Sequence, residues 1–160
     1  MTIQYDGSDF HGWQMQAKGR TVQGDIEDAI SVIYPGEKIT LIGAGRTDAG
    51  VHALGQAAHI SLPSKHTAEE LQNALNGNLK QDLRIDMVED VEDDFHARFS
   101  ATAREYEYHM VKHFSPITRN YTILLKWKVD SKLLKECAVI LLGEHDFTSF
   151  FKSTAEVDHK

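Results

Sequence analysis

The sequence of 160 residues contains a single cysteine, Cys137, and this scarcity excludes a fold held together by disulfide bonds. A chain without disulfides suits a reducing compartment, so we expect a cytoplasmic protein. Cys137 lies in an apolar stretch with helical periodicity, and a buried free cysteine behaves as a small hydrophobic residue. We therefore expect Cys137 to be an ordinary core residue.

Long apolar runs are also missing. No stretch approaches the roughly 18 consecutive apolar residues of a membrane-spanning helix. The first ten residues, MTIQYDGSDF, lack the basic start and the apolar stretch of a signal peptide. The sequence thus predicts a protein without membrane spans, and its 41% of hydrophobic residues can build a core.

The sequence also has no excess of basic residues. The net charge is −7, which argues against a general nucleic-acid binder. The segment 82–94, DLRIDMVEDVEDD, holds seven acids and one arginine, a local net charge of −6 that leaves −1 for the rest of the chain. A basic face can therefore exist beside an acidic rim.

Hydrophobic periodicity predicts a mixture of strands and helices. Strands are predicted at residues 1–5, 39–43, 51–62, 83–91, 100–112 and 117–129. Helices are predicted to begin after Thr21, Thr67 and Asp130, and Pro35 and Gly143 lie where the first and last should end. The residues expected to face inward are Val22, Ile26, Ile30 and Ile33 in the first helix, Leu71, Ala74 and Leu75 in the second, and Leu133, Leu134, Cys137 and Leu141 in the third.

This order of elements indicates an α+β fold, in which helices cover one face of an antiparallel or mixed sheet. The uncovered face of such a sheet is a common platform for RNA. The histidines and the cysteine form no grouping typical of a metal site.

Residues 45–53, GRTDAGVHA, place an arginine and an aspartate between glycines and between two predicted strands. Three ordinary explanations are open: the glycines serve turn geometry, Arg46 and Asp48 form a surface pair, or the loop binds phosphate. The last is weak, because the phosphate-loop spacing is absent and a strand rather than a helix follows. From the residues alone, Asp48 is a candidate nucleophile or base beside a cation.

The longer segment GAGRTDAGVHA resembles the active-site signature of TruA-type tRNA pseudouridine synthases. The resemblance continues in order through YDGSDFHGWQMQ, TVQGDIEDAI, NALNGNL, DDFHARFSATAREYEYHM and LLGEHDFTSF. It implies the pseudouridine synthase fold, with a ferredoxin-like N-terminal half and the start of a second half. We expect residues 1–97 to form an α/β domain that carries the catalytic loop, and residues 98–160 to begin a second, incomplete domain.

The resemblance implies a reaction in which uridines at positions 38–40 of the tRNA anticodon stem-loop become pseudouridine. The N1–C1′ bond breaks, the uracil rotates, and C5 bonds to C1′, without a cofactor or a metal. Asp48 matches the essential aspartate. Arg46 matches the motif arginine, expected at backbone phosphate or at the flipped nucleotide. Tyr106 matches the active-site tyrosine, expected to stack on the uracil.

Several further residues are weaker candidates. Tyr108 shares a strand face with Tyr106 and is expected to fill the core. His52 is expected to have a structural role, whereas Phe10 and Trp13 are left between core and RNA-facing positions. Contacts to phosphate are expected from basic residues, namely Arg20, Arg98 and Arg104, with Lys18.

The resemblance also implies a C-terminal segment that this sequence lacks, with a basic residue facing the catalytic aspartate and much of a dimer contact. Two functions therefore stay open. One is a synthase acting on tRNA, and the other is a non-catalytic RNA-binding fragment or shortened paralogue. A homodimer is expected for a complete family member, and the oligomeric state of this chain is left open.

Overall fold

The computed structural model describes residues 1–63 and 65–150. The chain divides into two compact units, Met1–Tyr106 and Glu107–Lys160, which are taken separately below. This division follows Tyr106 rather than residue 97. The assignment of residues 1–97 and 98–160 to two domains stays a prediction.

The first unit is built on a four-stranded sheet with the strand order β2-β3-β1-β4. Its strands are β1 (Thr2–Tyr5), β2 (Ile42–Gly43), β3 (Ala53–His59) and β4 (Leu83–Met87), and every pairing is antiparallel. In central strand β1, Tyr5 pairs with Ala53 on one side and with Leu83 on the other. The short first strand therefore organises both of its neighbours.

Two α-helices and a 3-10 helix (Gly7–Asp9) complete this unit, and both α-helices begin at the predicted caps. In α1 (Val22–Ile33), the Thr21 side chain accepts from the Gly24 N–H. In α2 (Ala68–Asn78), Thr67 and Glu70 form the predicted capping box, each side chain accepting from the other's backbone N–H. Local sequence signals thus place both helix starts correctly.

The core lies between these helices and one face of the sheet. Ile3, Tyr5 and Ile85 point inward from the strands and are at most 3% exposed, whereas the alternating residues Gln4 and Arg84 are exposed. Alternation of this kind is what a sheet with one covered face requires. The structure confirms the predicted α+β fold with an antiparallel sheet, and its buried helix residues include Val22, Ile26, Ile30, Leu71 and Leu75.

Several strands are shorter than predicted, and the largest difference concerns residues 100–112 and 117–129. Only β5 (Met110–Val111) and β6 (Ile123–Leu124) form there, paired in parallel. Alternation gives a segment a suitable face, but a strand needs a neighbouring backbone to complete its hydrogen bonds. The expectation that Tyr108 fills the core is also wrong, since its side chain is 73% exposed.

The second unit contains α3 (Ser131–Ile140), which begins at the predicted cap, Asp130. The inward positions predicted for this helix are wrong, because none of its residues is buried and Cys137 is exposed. Among residues 107–150, no hydrophobic side chain belongs to the buried core. The apolar stripe of α3 therefore has no packing surface within the described part of its own unit.

Candidate active site

The GRTDAGVHA loop connects β2 to β3, and β3 fixes its beginning. The Ala44 N–H donates to the carbonyl of Ala57 at 2.7 Å, and the Gln56 side chain donates to the carbonyl of Gly45 at 2.9 Å. Ala44 is itself buried. The motif therefore leaves the sheet from a fixed point.

A second loop, residues 6–13, lies against the motif backbone. The Trp13 N–H donates to the carbonyl of Thr47 at 3.0 Å, and the Gly50 N–H donates to the carbonyl of Phe10 at 3.3 Å. Phe10 and Trp13 are buried in the core at 3% and 2% exposure. These two aromatic residues therefore anchor the second loop, and through it the motif, instead of facing outward.

The two loops approach so closely that glycine is required between them. A Cβ on Gly7 would lie 2.0 Å from the Val51 carbonyl oxygen, and one on Gly12 would lie 2.6 Å from that of Thr47. Gly12 also has a φ of 93°, which other residues rarely adopt. The glycines of DGSDFHGW thus have a packing role that the sequence analysis did not assign to them.

Tyr5 connects the GRTDAGVHA motif to the buried core. Its hydroxyl shares a hydrogen bond of 2.8 Å with the Thr47 hydroxyl, and its side chain is 3% exposed. Burial raises the pKa of Tyr5, so the phenol stays protonated at neutral pH and can act as a donor. Sequence reasoning missed Tyr5 and Thr47, although both lie inside the segments that carry the resemblance.

His52 joins the motif to the second loop. Its Nδ1 atom lies 3.1 Å from the Gly7 nitrogen and 3.0 Å from an Asp6 carboxylate oxygen. A neutral ring accepts from the Gly7 N–H, and a protonated ring donates to Asp6. In both forms the histidine ties two backbone segments together.

Asp48 and Arg46 lie at the outer turn of this braced loop, and both are exposed. The Asp48 carbonyl accepts from the Val51 N–H at 3.3 Å, so the turn is closed by its own backbone. Within residues 1–63 and 65–150, neither side chain forms an ion pair. The explanation of Arg46 and Asp48 as an ordinary surface pair therefore finds no contact in the part of the chain described.

Tyr106, the candidate stacking residue, contributes to the electrostatic environment of Tyr5. Burial is the main cause of the raised pKa of Tyr5, the bonds to Thr47 and Gln56 oppose it, and the nearby Tyr106 phenol adds to it. The Tyr106 side chain is 63% exposed. The exposed Tyr106 therefore adds, as the smallest of these causes, to the raised pKa of Tyr5.

The basic candidates have different surroundings. Arg20 pairs with both Asp82 and Asp25 and lies 4.1 Å from the Phe10 ring centroid. Its hydrogen bond lowers the pKa of Asp82. Arg98 is exposed and lies 5.7 Å from the ring centroid of Phe99.

Arg104 instead donates to backbone carbonyls, those of Ala44 and Arg98. Lys18 is exposed. The RNA-binding roles of these four basic residues stay predictions.

The described residues form neither a metal-binding group nor a membrane-spanning helix. No three histidine, cysteine, aspartate or glutamate side chains in this part of the chain converge as metal ligands. None of its helices has the length and apolar character needed to cross a membrane.

Comparison with known families identifies the class of protein to which this chain belongs. Residues 1–100 match the family described as tRNA pseudouridine synthase. The matched region includes the motif, the second loop and the whole four-stranded sheet. This chain belongs to the tRNA pseudouridine synthase family.

Individual relatives agree with this assignment. The tRNA pseudouridine synthase A of Brachyspira hyodysenteriae is 49% identical over 100% of this chain and 66% of the relative. The tRNA pseudouridine synthase A 1 of Protochlamydia amoebophila is 42% identical, over 94% of this chain and 59% of the relative. A Listeria monocytogenes tRNA pseudouridine synthase A is 42% identical over 99% of this chain and 64% of the relative. The chain thus spans slightly less than two thirds of the length of these relatives.

Proposed function

We propose that this chain provides the catalytic region of a tRNA pseudouridine synthase that acts on uridines 38–40 of the anticodon stem-loop. The observation that carries the proposal is the position of Asp48. Its carboxylate lies at the exposed tip of a loop whose backbone is fixed by β3 and by the loop of residues 6–13. A rigid loop that presents one carboxylate to solvent suits a substrate as large as tRNA.

The reaction needs a carboxylate close to C1′ of the target nucleotide. Asp48 can supply it either as a nucleophile that adds to the sugar or base, or as a base that removes a ribose proton. Either role depends on positioning within a fraction of an ångström, which favours a loop on a rigid support. The bonds of Thr47 to Tyr5 and Trp13 provide that support beside Asp48.

The target base must leave its stack before a carboxylate can reach C1′. We assign Arg46 to this step, since its guanidinium is exposed two residues from Asp48 and is suited to phosphate. We assign Tyr106 to stacking on the extruded uracil, because aromatic rings are the usual partners of unstacked bases. Its exposed ring near Tyr5 supports this role.

The test is tritium release from tRNA labelled at C5 of uridine. Forming the new C5–C1′ bond displaces the C5 hydrogen, so release measures completed isomerisation. We expect release from the wild-type chain and a loss of more than roughly 1,000-fold in Asp48→Asn, as when a nucleophile is removed. Asp28→Asn is the matched control, because Asp28 is an exposed aspartate on α1, outside both loops.

Absence of release from the folded wild-type chain would contradict the proposal. Binding of tRNA without release would favour the alternative, an RNA-binding protein that does not complete the reaction. Binding should be compared at stated salt concentrations, because phosphate contacts release counterions.

A further inference from the structure

Arg104 connects two parts of the first unit through its side chain. One is residues 101–106, here called the Tyr106 segment, and the other is the GRTDAGVHA loop, residues 45–53, here called the Asp48 loop. Its Nε and Nη2 atoms both donate to the carbonyl of Ala44, at 3.2 and 2.6 Å. The same Nη2 atom donates to the carbonyl of Arg98 at 3.1 Å. One guanidinium therefore joins the first residues of the motif loop to the start of the segment that contains Tyr106.

The contact is close on the motif side. A Cβ on Gly45 would lie 3.4 Å from Arg104 Nε and 3.7 Å from Arg104 Cδ, which is ordinary van der Waals contact. The Arg104 side chain therefore lies directly against the loop at Gly45.

The Tyr106 segment has few other constraints. Among the described residues, no backbone hydrogen bond holds residues 101–106, and no strand forms there. Tyr106 itself is largely exposed. Among the described residues, the side chain of Arg104 supplies the hydrogen bonds between residues 101–106 and Ala44, at the start of the motif loop.

We propose that Arg104 is a positioning residue, which holds Tyr106 at the Asp48 loop, and that it is not a phosphate contact. The proposal rests on the proposed synthase function for its kinetic consequence, but not for its structural one. The ammonium of lysine has three N–H donors but not the planar fork with which Arg104 donates to two carbonyls, so Arg104→Lys is not a conservative change here. A phosphate contact, in contrast, would tolerate lysine well.

The structural consequence can be tested by limited proteolysis of the intact chain with chymotrypsin, which cleaves after tyrosine. We expect Arg104→Met and Arg104→Lys to increase the rate of cleavage after Tyr106 roughly tenfold, because the released segment can enter the protease. The matched control is Arg119→Met, since Arg119 also donates to a backbone carbonyl, that of Pro116, in the other unit. Unchanged cleavage in both Arg104 variants would overturn the proposal.

The kinetic consequence separates positioning from substrate binding. We expect both Arg104 variants to lower kcat roughly 10- to 100-fold with little change in KM, as for a small misplacement of a catalytic group. In a Tyr106→Ala background, Arg104→Met should cause almost no further loss, because the two residues act as one unit. A phosphate contact would instead raise KM, reduce the salt slope of binding by about 1 and be rescued by lysine.

The two readouts distinguish the failure of each idea. If the wild-type chain releases no tritium while the Arg104 variants are cleaved faster, the proposed function is wrong and the positioning role of Arg104 is supported. If the wild-type chain is active and both Arg104 variants keep its kcat and its resistance to cleavage, the proposed function is supported and the positioning role of Arg104 is wrong.

Discussion

The two units of this chain differ in how completely their apolar residues are buried. Met1–Tyr106 contains the four-stranded sheet and every buried hydrophobic residue of the described chain. In the other unit, residues 107–150 form one pair of two-residue strands, α3 and a 3-10 helix (Thr148–Phe150), and neither helix has a buried residue. The Asp48 loop belongs to the first of these units, so the residues that fix its backbone are those of a complete core.

The comparison shows why the loop can present a carboxylate to solvent and still be rigid. Tyr5, Phe10 and Trp13 are buried, and each contributes a hydrogen bond or a neighbouring backbone contact to the motif. A side chain can be exposed to solvent while buried neighbouring residues fix the position of its backbone. Predictions that test this difference between the units follow in order of decreasing effect.

The largest difference is expected between two leucines on helices. Leu75 in α2 is 0% exposed, whereas Leu134 in α3 is 51% exposed. Leu75→Ala should lower the free energy of unfolding by about 3 kcal/mol, because it leaves a cavity in the core. Leu134→Ala should change it by less than about 0.5 kcal/mol.

Urea unfolding followed by far-ultraviolet circular dichroism measures both leucine variants, and the fluorescence of buried Trp13 follows the first unit alone. A Trp127→Phe background removes the second tryptophan, which is 73% exposed. Equal effects of the two substitutions would show that the difference in burial between the units does not determine stability.

A smaller effect is expected from adding a methyl group between the two loops of the site. Gly7→Ala would place a Cβ against the Val51 carbonyl and should destabilise the first unit by about 2 kcal/mol, as overpacking does. Gly77→Ala is the control, since nothing lies within 4 Å of its added Cβ and the residue is in α2. There alanine should stabilise the helix by about 0.5 kcal/mol.

The Gly7 variant also connects stability to the site. If its tritium release at a temperature well below unfolding equals that of the wild type, close packing of the two loops is not needed for activity. A reduced rate together with intact Trp13 fluorescence would support the role of residues 6–13 as a brace for Asp48.

The smallest of these effects concerns the contacts of Arg20 and its dependence on pH. The hydrogen bond from Arg20 lowers the pKa of Asp82 below its usual 3.8, so the contact stabilises the fold above that pH. The stabilisation is lost as the pH falls through the lower pKa of the folded state. Asp82→Asn should cost about 1 kcal/mol at pH 7, since Arg20 keeps Asp25 as a partner.

The pH series provides the check on this interpretation. The difference in unfolding free energy between wild type and Asp82→Asn should shrink below pH 3.8 and stay constant from pH 5 to 7. A difference that instead grows on acidification would mean that another group is responsible.

Much of the first unit could be predicted from local patterns. Thr21, Thr67 and Glu70 identified the helix starts because a cap is decided by a few neighbouring residues. The alternation in residues 1–5 and 83–87 identified strands because a complete core was available to one face. The same alternation failed at residues 100–112, where no partner strand gives it more than two residues of ladder.

The candidate site likewise has features that the sequence predicted and features that only the structure revealed. The sequence by itself determined the family and the fold class, because several of its segments resemble one family in order, and Asp48 is a candidate because it matches that family's essential aspartate. Only the tertiary structure decided that Trp13 and Phe10 face the core, that Gly7 and Gly12 permit contact between two loops, and that Arg104 reaches Ala44 across 60 residues. Such contacts depend on which distant backbones meet, and that is set by the packing of the whole core and by no local pattern.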